Sequence, residues 1–313
     1  MQTCAATAAG SLRSDMPAIR RALVTGLSGF TGRYVAAELE EAGFEVYGTG
    51  EQPGNLPRYT QADLTDRDAL HVLVAEVRPH AVLHLAGLAF VANNDAAAFY
   101  NVNTAGTRNL LEALSAEAHD VQCILLASSA NVYGNSTGGV LDESTTPNPA
   151  NDYAVSKLAM EYMARLWFDR LPIVITRPFN YTGVGQSESF LLPKIVGHFQ
   201  RGERQIELGN LDVFRDFSDV RAVASAYRRL VQACPAGEIV NVCSGRSHSL
   251  REVIGMVEEI VGYKIEIKVN PSFVRANEVR SLLGSAGHLR NLIGEWDTPP
   301  LRKTLEWMYS ERK

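Results

Sequence analysis

Tyr153 and Lys157 form the sharpest chemical pairing in the chain, in the run Tyr153-Ala-Val-Ser-Lys157. A spacing of four puts both side chains on one helix face, a turn apart. A phenol ordinarily ionises near pH ~10, and an adjacent ammonium favours the phenolate, so such a tyrosine can act as acid and base near neutrality. The competing reading is an ordinary surface pair. Against it, arginines outnumber lysines 24 to 6 and Lys157 is the first lysine in the chain, so a position needing only positive charge would sooner hold arginine. Upstream, Ser128-Ser129-Ala-Asn-Val-Tyr-Gly134 follows the apolar run Gln122-Cys-Ile-Leu-Leu-Ala. A hydroxyl at the end of a buried strand can hydrogen-bond a substrate oxygen; the bland alternative is a plain turn.

These groups need a scaffold, and residues 21–43 supply its first unit. Ala22-Leu-Val24 is apolar, Gly26, Gly29 and Gly32 follow at spacing three, and Tyr34, Val35, Ala36, Ala37 and Leu39 form a helical stripe ending at Gly43. The pattern predicts strand, tight turn and helix, with glycines that let the backbone approach a pyrophosphate seated on the free N–H groups of the helix N-terminus. The spacing is Gly-x-x-Gly-x-x-Gly, so the flanking strand and helix carry the dinucleotide reading more than the glycines do. In the loop after the second strand, Glu51 comes late for a ribose-binding acid and no Arg or Lys precedes Arg58, which leaves NAD and NADP both open. Asp63 is placed at the adenine edge or as a helix N-cap; the two roles are compatible.

Further on, strands are expected at 44–48, 81–87, 122–129 and 173–178, and helices at 63–77, 96–118 and 151–170, the last capped by Asn151 or Asp152. This alternation predicts an α/β fold with a doubly wound parallel sheet. Ligands in such folds sit at the carboxyl ends of the strands, so the loops after residues 25, 48, 86, 128 and 178 should line the site. Beyond Pro178 the pattern loosens, with helices at 221–234, 250–261 and 301–309 and a strand at 238–243. Residues 20–180 with about 217–245 are assigned to a dinucleotide-binding domain, and 181–216 with 246–313 to a smaller α/β substrate domain. Residues 1–19 read as a disordered Ala/Ser/Thr-rich extension, and Met16 is an alternative start.

The 313 residues, 46% hydrophobic with net charge −5 and no basic block, suit an enzyme-sized core and disfavour nucleic acid and anionic membrane as partners. No apolar run approaches the ~18 residues of a membrane span. Cys4, Cys123, Cys234 and Cys243 are far apart in sequence and read as reduced thiols of a cytoplasmic protein. His80 and His84 fall on a strand without helical ligand geometry, so no metal site is expected.

Gly29, Ser129, Tyr153 and Lys157 together resemble the short-chain dehydrogenase/reductase superfamily. The Ser-Ser-x-x-Val-Tyr-Gly segment, Arg177-Pro-Phe-Asn180 and the long C-terminal part resemble its extended branch acting on nucleotide sugars, over about residues 20 to 310. The resemblance implies a Rossmann domain holding NADP(H) or NAD(H), with Tyr153 as acid/base, Lys157 on the nicotinamide ribose and Ser129 orienting the carbonyl or hydroxyl. It further implies cofactor contacts from Gly26, Ser28, Gly29, Phe30, Thr31, Gly32, Asp63, Leu64, Leu85, Ala86, Gly87, Asn103 and Pro178. Three segments are similar to a branch handling GDP-mannose derivatives: 177–187, 209–220 and Arg275-Ala-Asn-Glu-Val279. By that likeness Arg215 and Arg275 bind the diphosphate and Glu278 the GDP ribose, with Asn131, Asn180 and Lys194 also on the sugar nucleotide. Val184 stands where the family often has Pro, and residues 84–90 depart from its usual nicotinamide-side loop.

The expected reaction is reduction of the 4-keto group of GDP-4-keto-6-deoxy-D-mannose to GDP-D-rhamnose or its 4-epimer. The rivals are a GDP-mannose 4,6-dehydratase, a nucleotide-sugar 4-epimerase and a non-catalytic nucleotide-binding regulatory module. Similar dehydratases carry a Glu base two positions after the catalytic Ser/Thr; that position is Asn131 here, and an amide cannot take a proton at neutral pH. The likeness also implies a homodimer through a four-helix bundle of the helices at 96–118 and 151–170, with Leu110, Leu111, Leu114, Met160, Met163, Trp167 and Phe168 as its apolar residues.

Overall fold

The computed structural model describes residues 20–89, 95–135, 139–273 and 279–311. In chain order the first part comprises β1 (Arg20–Thr25), α1 (Phe30–Glu41), β2 (Phe44–Gly50), β3 (Tyr59–Gln61), α2 (Arg67–Val77), β4 (Ala81–His84) and α3 (Ala96–Phe99). A π-helical segment, Tyr100–Gly106, leads into α4 (Thr107–Glu117), followed by β5 (Cys123–Ala127), a 3-10 turn Ala130–Tyr133, α5 (Asp152–Arg165) and β6 (Ile173–Pro178). The remainder is β7 (Asn180–Thr182), α6 (Leu191–Gln200), β8 (Gln205–Leu208), β9 (Phe214–Asp219), α7 (Val220–Ala233), β10 (Ile239–Val242), β11 (Ser247–Ser249), α8 (Leu250–Val261), β12 (Glu266–Val269), β13 (Ser281–Leu282), α9 (Gly287–Ile293) and α10 (Leu301–Ser310).

Seven strands form one sheet in the order β10-β6-β5-β4-β1-β2-β3, all pairs parallel. This is the Rossmann-type doubly wound sheet that the alternation implied. Its central strands read as unbroken apolar runs because helices cover both faces. Val35 and Leu39 of α1 pack with Val223, Tyr227 and Leu230 of α7 on one side; Leu70 and Leu73 of α2, Leu110 and Leu114 of α4 and Met160 of α5 fill the other. The chain runs outward in opposite directions from β1 and β4, so their carboxyl ends open a crevice at the switch point. β10, late in sequence, joins the far edge of this sheet beside β6. A third core lies apart, where Leu192 and Phe199 of α6, Val253 and Val257 of α8 and Leu305 of α10 close over Phe217 of β9 and Ile206 of β8.

Several sequence expectations shift in detail. The second helix starts at Arg67, capped by Asp66, whose side chain accepts from Ala69 N at 3.0 Å. Asp63 is therefore not its N-cap: it accepts from Thr65 N at 2.8 Å and makes a local turn. The helix expected over 96–118 is broken by the π segment, and such widened turns recur at functional sites. The next helix ends at Arg165, where the bonding tightens: the N–H groups of Leu166, Trp167 and Phe168 donate three residues back, to the carbonyls of Met163, Ala164 and Arg165. Leu110, Leu111, Leu114, Met160 and Trp167, offered as dimer residues, are buried in the subunit's own core. The large apolar residues that α5 exposes are Val155 at 37% and Tyr162 at 57%, with Leu166 at 74% just past its end. His80 precedes β4, its ring accepting from Arg21 N, while His84 ends it. Cys123 and Cys234, distant in sequence, are neighbours in space, and both are free thiols.

Candidate active site

The crevice at the ends of β1, β4, β5 and β6 is a cleft of about 300 Å³. Ser129, two residues past the end of β5, caps the 3-10 turn, its Oγ accepting from Asn131 N at 3.2 Å and from Asn131 Nδ2 at 3.0 Å. α5 starts where Asn151 accepts from Ala154 N at 2.9 Å, which places Tyr153 in the first turn and Lys157 in the second. The Tyr153 ring packs edge-on against Phe99 at 5.8 Å, and its hydroxyl meets Ser129. Lys157 donates from Nζ to the Ala127 carbonyl at 2.9 Å. The sequence thus brought together the three groups it singled out, from the end of a strand and two turns of a helix.

Their electrostatics differ from the simple pairing expected. Burial pushes the Tyr153 phenol up to about 12, with the Ser129 hydrogen bond pulling the other way. Burial draws Lys157 down to about 8, opposed by the Glu161 carboxylate. Desolvation of the phenol, not the charge of Lys157, dominates; Tyr153 is held protonated at neutral pH. His84, between Thr25 Oγ1 at 2.7 Å and Thr107 Oγ1 at 2.9 Å, is driven to about 3 by burial and the Lys157 charge, a satisfied core histidine. Among the described residues no cluster of His, Cys, Asp and Glu could hold a metal.

The far end of the cleft fits a dinucleotide. Gly26 has φ +73°, and a Cβ there would stand 2.9 Å from Ala86 N; one on Gly32 would stand 2.3 Å from the Gly26 carbonyl. Only glycine packs the turn this tightly against the sheet. α1 begins with no side-chain cap and no acid in its first turn, so its N–H groups are free for a diphosphate. Phe30, Thr31, Leu85, Gly87 and Pro178 complete that wall with Gly26, Gly29 and Gly32. Ser28 is exposed beside Gly50, Asp63 is exposed after β3, and Leu64 is buried under Gly106; none of them lines the cleft. Ala86 and Asn103 also stand behind it. Ala86 N donates to Thr25 Oγ1 at 3.1 Å, and Asn103 ties Leu88 N at 2.9 Å to Ser156 Oγ at 3.1 Å, so the π segment braces α5 between Tyr153 and Lys157.

Past Tyr153 the cleft widens into a cavity of about 610 Å³ between the sheet and the C-terminal core. Asn131, Asn180, Lys194 and Arg215, which the resemblance assigns to the sugar nucleotide, are among the residues that line it. Lys194 Nζ reaches the Glu207 carbonyl at 2.9 Å over the Phe273 ring, and Arg215 Nη1 reaches the carbonyls of Phe214 at 2.8 Å and Arg280 at 3.4 Å. Arg275 and Glu278 lie outside the described residues. The sequence reading missed Tyr181, Gln186 and Phe190, which line both spaces. Tyr181 stacks on Phe30 and shares a 2.8 Å hydrogen bond with Thr31, fastening the sugar side to the glycine turn. The only advance signal for it was position, in the loop after residue 178. None of the described residues lining either space is an Asp or a Glu.

Comparison with known proteins agrees with this geometry. Residues 22–243 match the model of the NAD dependent epimerase/dehydratase family. The GDP-6-deoxy-D-talose 4-dehydrogenase of Aggregatibacter actinomycetemcomitans is 36% identical over 294 residues, covering 93% of this chain and 97% of its own. The GDP-6-deoxy-D-mannose reductase of Pseudomonas aeruginosa is 36% identical over 304 residues, with the same coverage of 93% and 97%. The solved structure of RMD from Pseudomonas aeruginosa complexed with NADPH is 35% identical and superposes with a TM-score of 0.81, over 93% of this chain and 97% of that one.

Proposed function

Given that the chain belongs to the NAD dependent epimerase/dehydratase family, we propose that it reduces the 4-keto group of GDP-4-keto-6-deoxy-D-mannose to GDP-D-rhamnose or its 4-epimer. It is an NAD(P)-dependent enzyme of the nucleotide-sugar-modifying kind. In the proposed reaction the reduced nicotinamide supplies the hydride. Tyr153, protonated because it is buried, gives its proton to the oxygen of the carbonyl, and Ser129 orients that oxygen by hydrogen bonding. Lys157 sits between the Ala127 carbonyl and Gly87, where an ammonium serves the ribose side of the site. The cavity beyond receives the GDP-sugar, with Arg215 and Lys194 as cations for its diphosphate and base end.

One observation favours reduction over dehydration: the walls of both spaces, among the described residues, hold no carboxylate. Expelling the 6-hydroxyl requires a base that strips the neighbouring carbon-bound proton, and Asn131, bonded to Ser129, cannot do so. The test is incubation of the pure protein with GDP-4-keto-6-deoxy-D-mannose and NADPH or NADH, with the product identified by NMR. Stoichiometric oxidation of the cofactor is expected. Accumulation of the 4-keto-6-deoxy sugar from GDP-mannose would sink the reading, and turnover without net cofactor oxidation would favour an epimerase.

A further inference from the structure

Glu161 lines neither the cleft nor the cavity, yet it is fully buried on α5 one turn beyond Lys157. Its Oε1 accepts the Ser128 hydroxyl at 2.5 Å and Arg177 Nε at 2.9 Å, and its Oε2 accepts Arg177 Nη2 at 2.6 Å. Arg177 also donates to the Tyr133 hydroxyl at 3.0 Å, and that hydroxyl donates to Asn241 Oδ1 at 2.8 Å. Ser128 lies between Ala127, whose carbonyl receives the Lys157 ammonium, and Ser129. The end of β5 is therefore tied to successive turns of α5, once by Lys157 and once by Glu161.

We propose that Glu161 is a positioning residue, fixing the Ser129-bearing strand end against α5 and keeping Lys157 in its ammonium form. A lysine buried as deeply as Lys157 releases its proton readily, and Glu161 is the group that acts against that loss. The other groups around it do not serve. Tyr153 on the same helix is protonated, and His84 on β4 is neutral. Arg177 on β6 is committed to Glu161 and Tyr133, and Asn103 of the π segment carries no charge. With the ammonium lost above about pH 8, kcat/KM should fall as pH rises through that value.

The proposal rests on the role given to Lys157, but its test does not depend on turnover. In protein selectively labelled with 13C-lysine, the Cε shift of Lys157, assigned by its loss in Lys157→Met, reports the titration of that ammonium directly. Glu161→Gln should move the midpoint toward acid by about one unit or more, and the alkaline limb of kcat/KM with it. Because this change strands the Arg177 charge in the interior and destabilises the fold, Glu161→Gln/Arg177→Met removes the pair together, an exchange interiors tolerate far better. The double variant should show the same acid shift. A folded double variant that titrates at the wild-type midpoint overturns the proposal, even if it is inactive. A shift in the single variant alone assigns the effect to the stranded arginine and overturns it equally.

Discussion

The glycine-lined cleft and the larger cavity meet at Tyr153, yet they are made of different material. One wall of the cleft is the β1–α1 turn, where Gly26, Gly29 and Gly32 present bare main chain, and the ends of β4, β5 and β6 with the start of α5 close the rest. The cavity has no such turn and is assembled from elements far apart in sequence: Asn131, the segment after β6, α6, the β8–β9 loop, β9 and the residues flanking β12 and β13. A backbone surface recognises what every dinucleotide shares, a diphosphate and its flanking riboses. A side-chain surface recognises what differs between sugars and bases. The first therefore fails by steric intrusion, and the second by losing single polar contacts.

The sharpest way to break this division is at its seam. Tyr153→Phe should cost ~10²–10⁴-fold in kcat while leaving affinity for both ligands near wild type, because only the proton donor is removed. A variant within twofold of wild type in single-turnover measurements would show that the proton comes from elsewhere. Gly32→Ala probes the backbone side. A Cβ 2.3 Å from the Gly26 carbonyl forces the turn open, and overpacking of this kind costs roughly 1–3 kcal/mol. NAD(P)H affinity should drop by up to about 100-fold with a lowered Tm; unchanged cofactor binding by calorimetry would mean the turn is not the cradle.

Arg215→Ala probes the side-chain side. It removes a charge-assisted contact worth ~1.5–3 kcal/mol, and the half-exposed position argues for about tenfold weaker GDP-sugar binding at the low end of that range. Affinity for NAD(P)H should stay fixed. Equal loss of both in parallel titrations would erase the distinction between the two regions. The smallest effect on chemistry is expected outside both. Val155, Tyr162 and Leu166 are spaced seven and four apart, one exposed stripe along α5 on which two copies would pair. Leu166→Arg should convert a dimeric mass to a monomeric one in micromolar light scattering, with kcat little changed; a wild-type protein already monomeric there ends the dimer reading.

How legible each region was follows from its construction. The β1–α1 turn could be read directly, since Gly26, Gly29 and Gly32 and the apolar stripe that follows all fall within one continuous turn-and-helix segment. Ser129, Tyr153 and Lys157 were readable because a strand end and a helix repeat fix their spacing. Asp63 was misplaced as a cap because Asp66, three residues on, satisfies the same local rule, and which of two acids caps a helix depends on where α2 packs. Tyr181 was invisible as a site residue: its hydrogen bond to Thr31 spans 150 positions, and no local pattern records it.

The sequence by itself determined the parallel sheet, the glycine turn and the pairing of Tyr153 with Lys157, because each follows from periodicity and spacing within a few tens of residues. Tertiary structure alone decided the protonation of the pair and the shape of the sugar cavity. Charge in a protein depends on desolvation, and desolvation is set by every element that closes over a group. Tyr153 and Lys157 stand four residues apart in any helix, but only their burial, where α5 packs against α3, the π segment and the 3-10 turn, pushes the phenol up and the ammonium down. The spacing named the partners; the burial assigned which of them holds the proton.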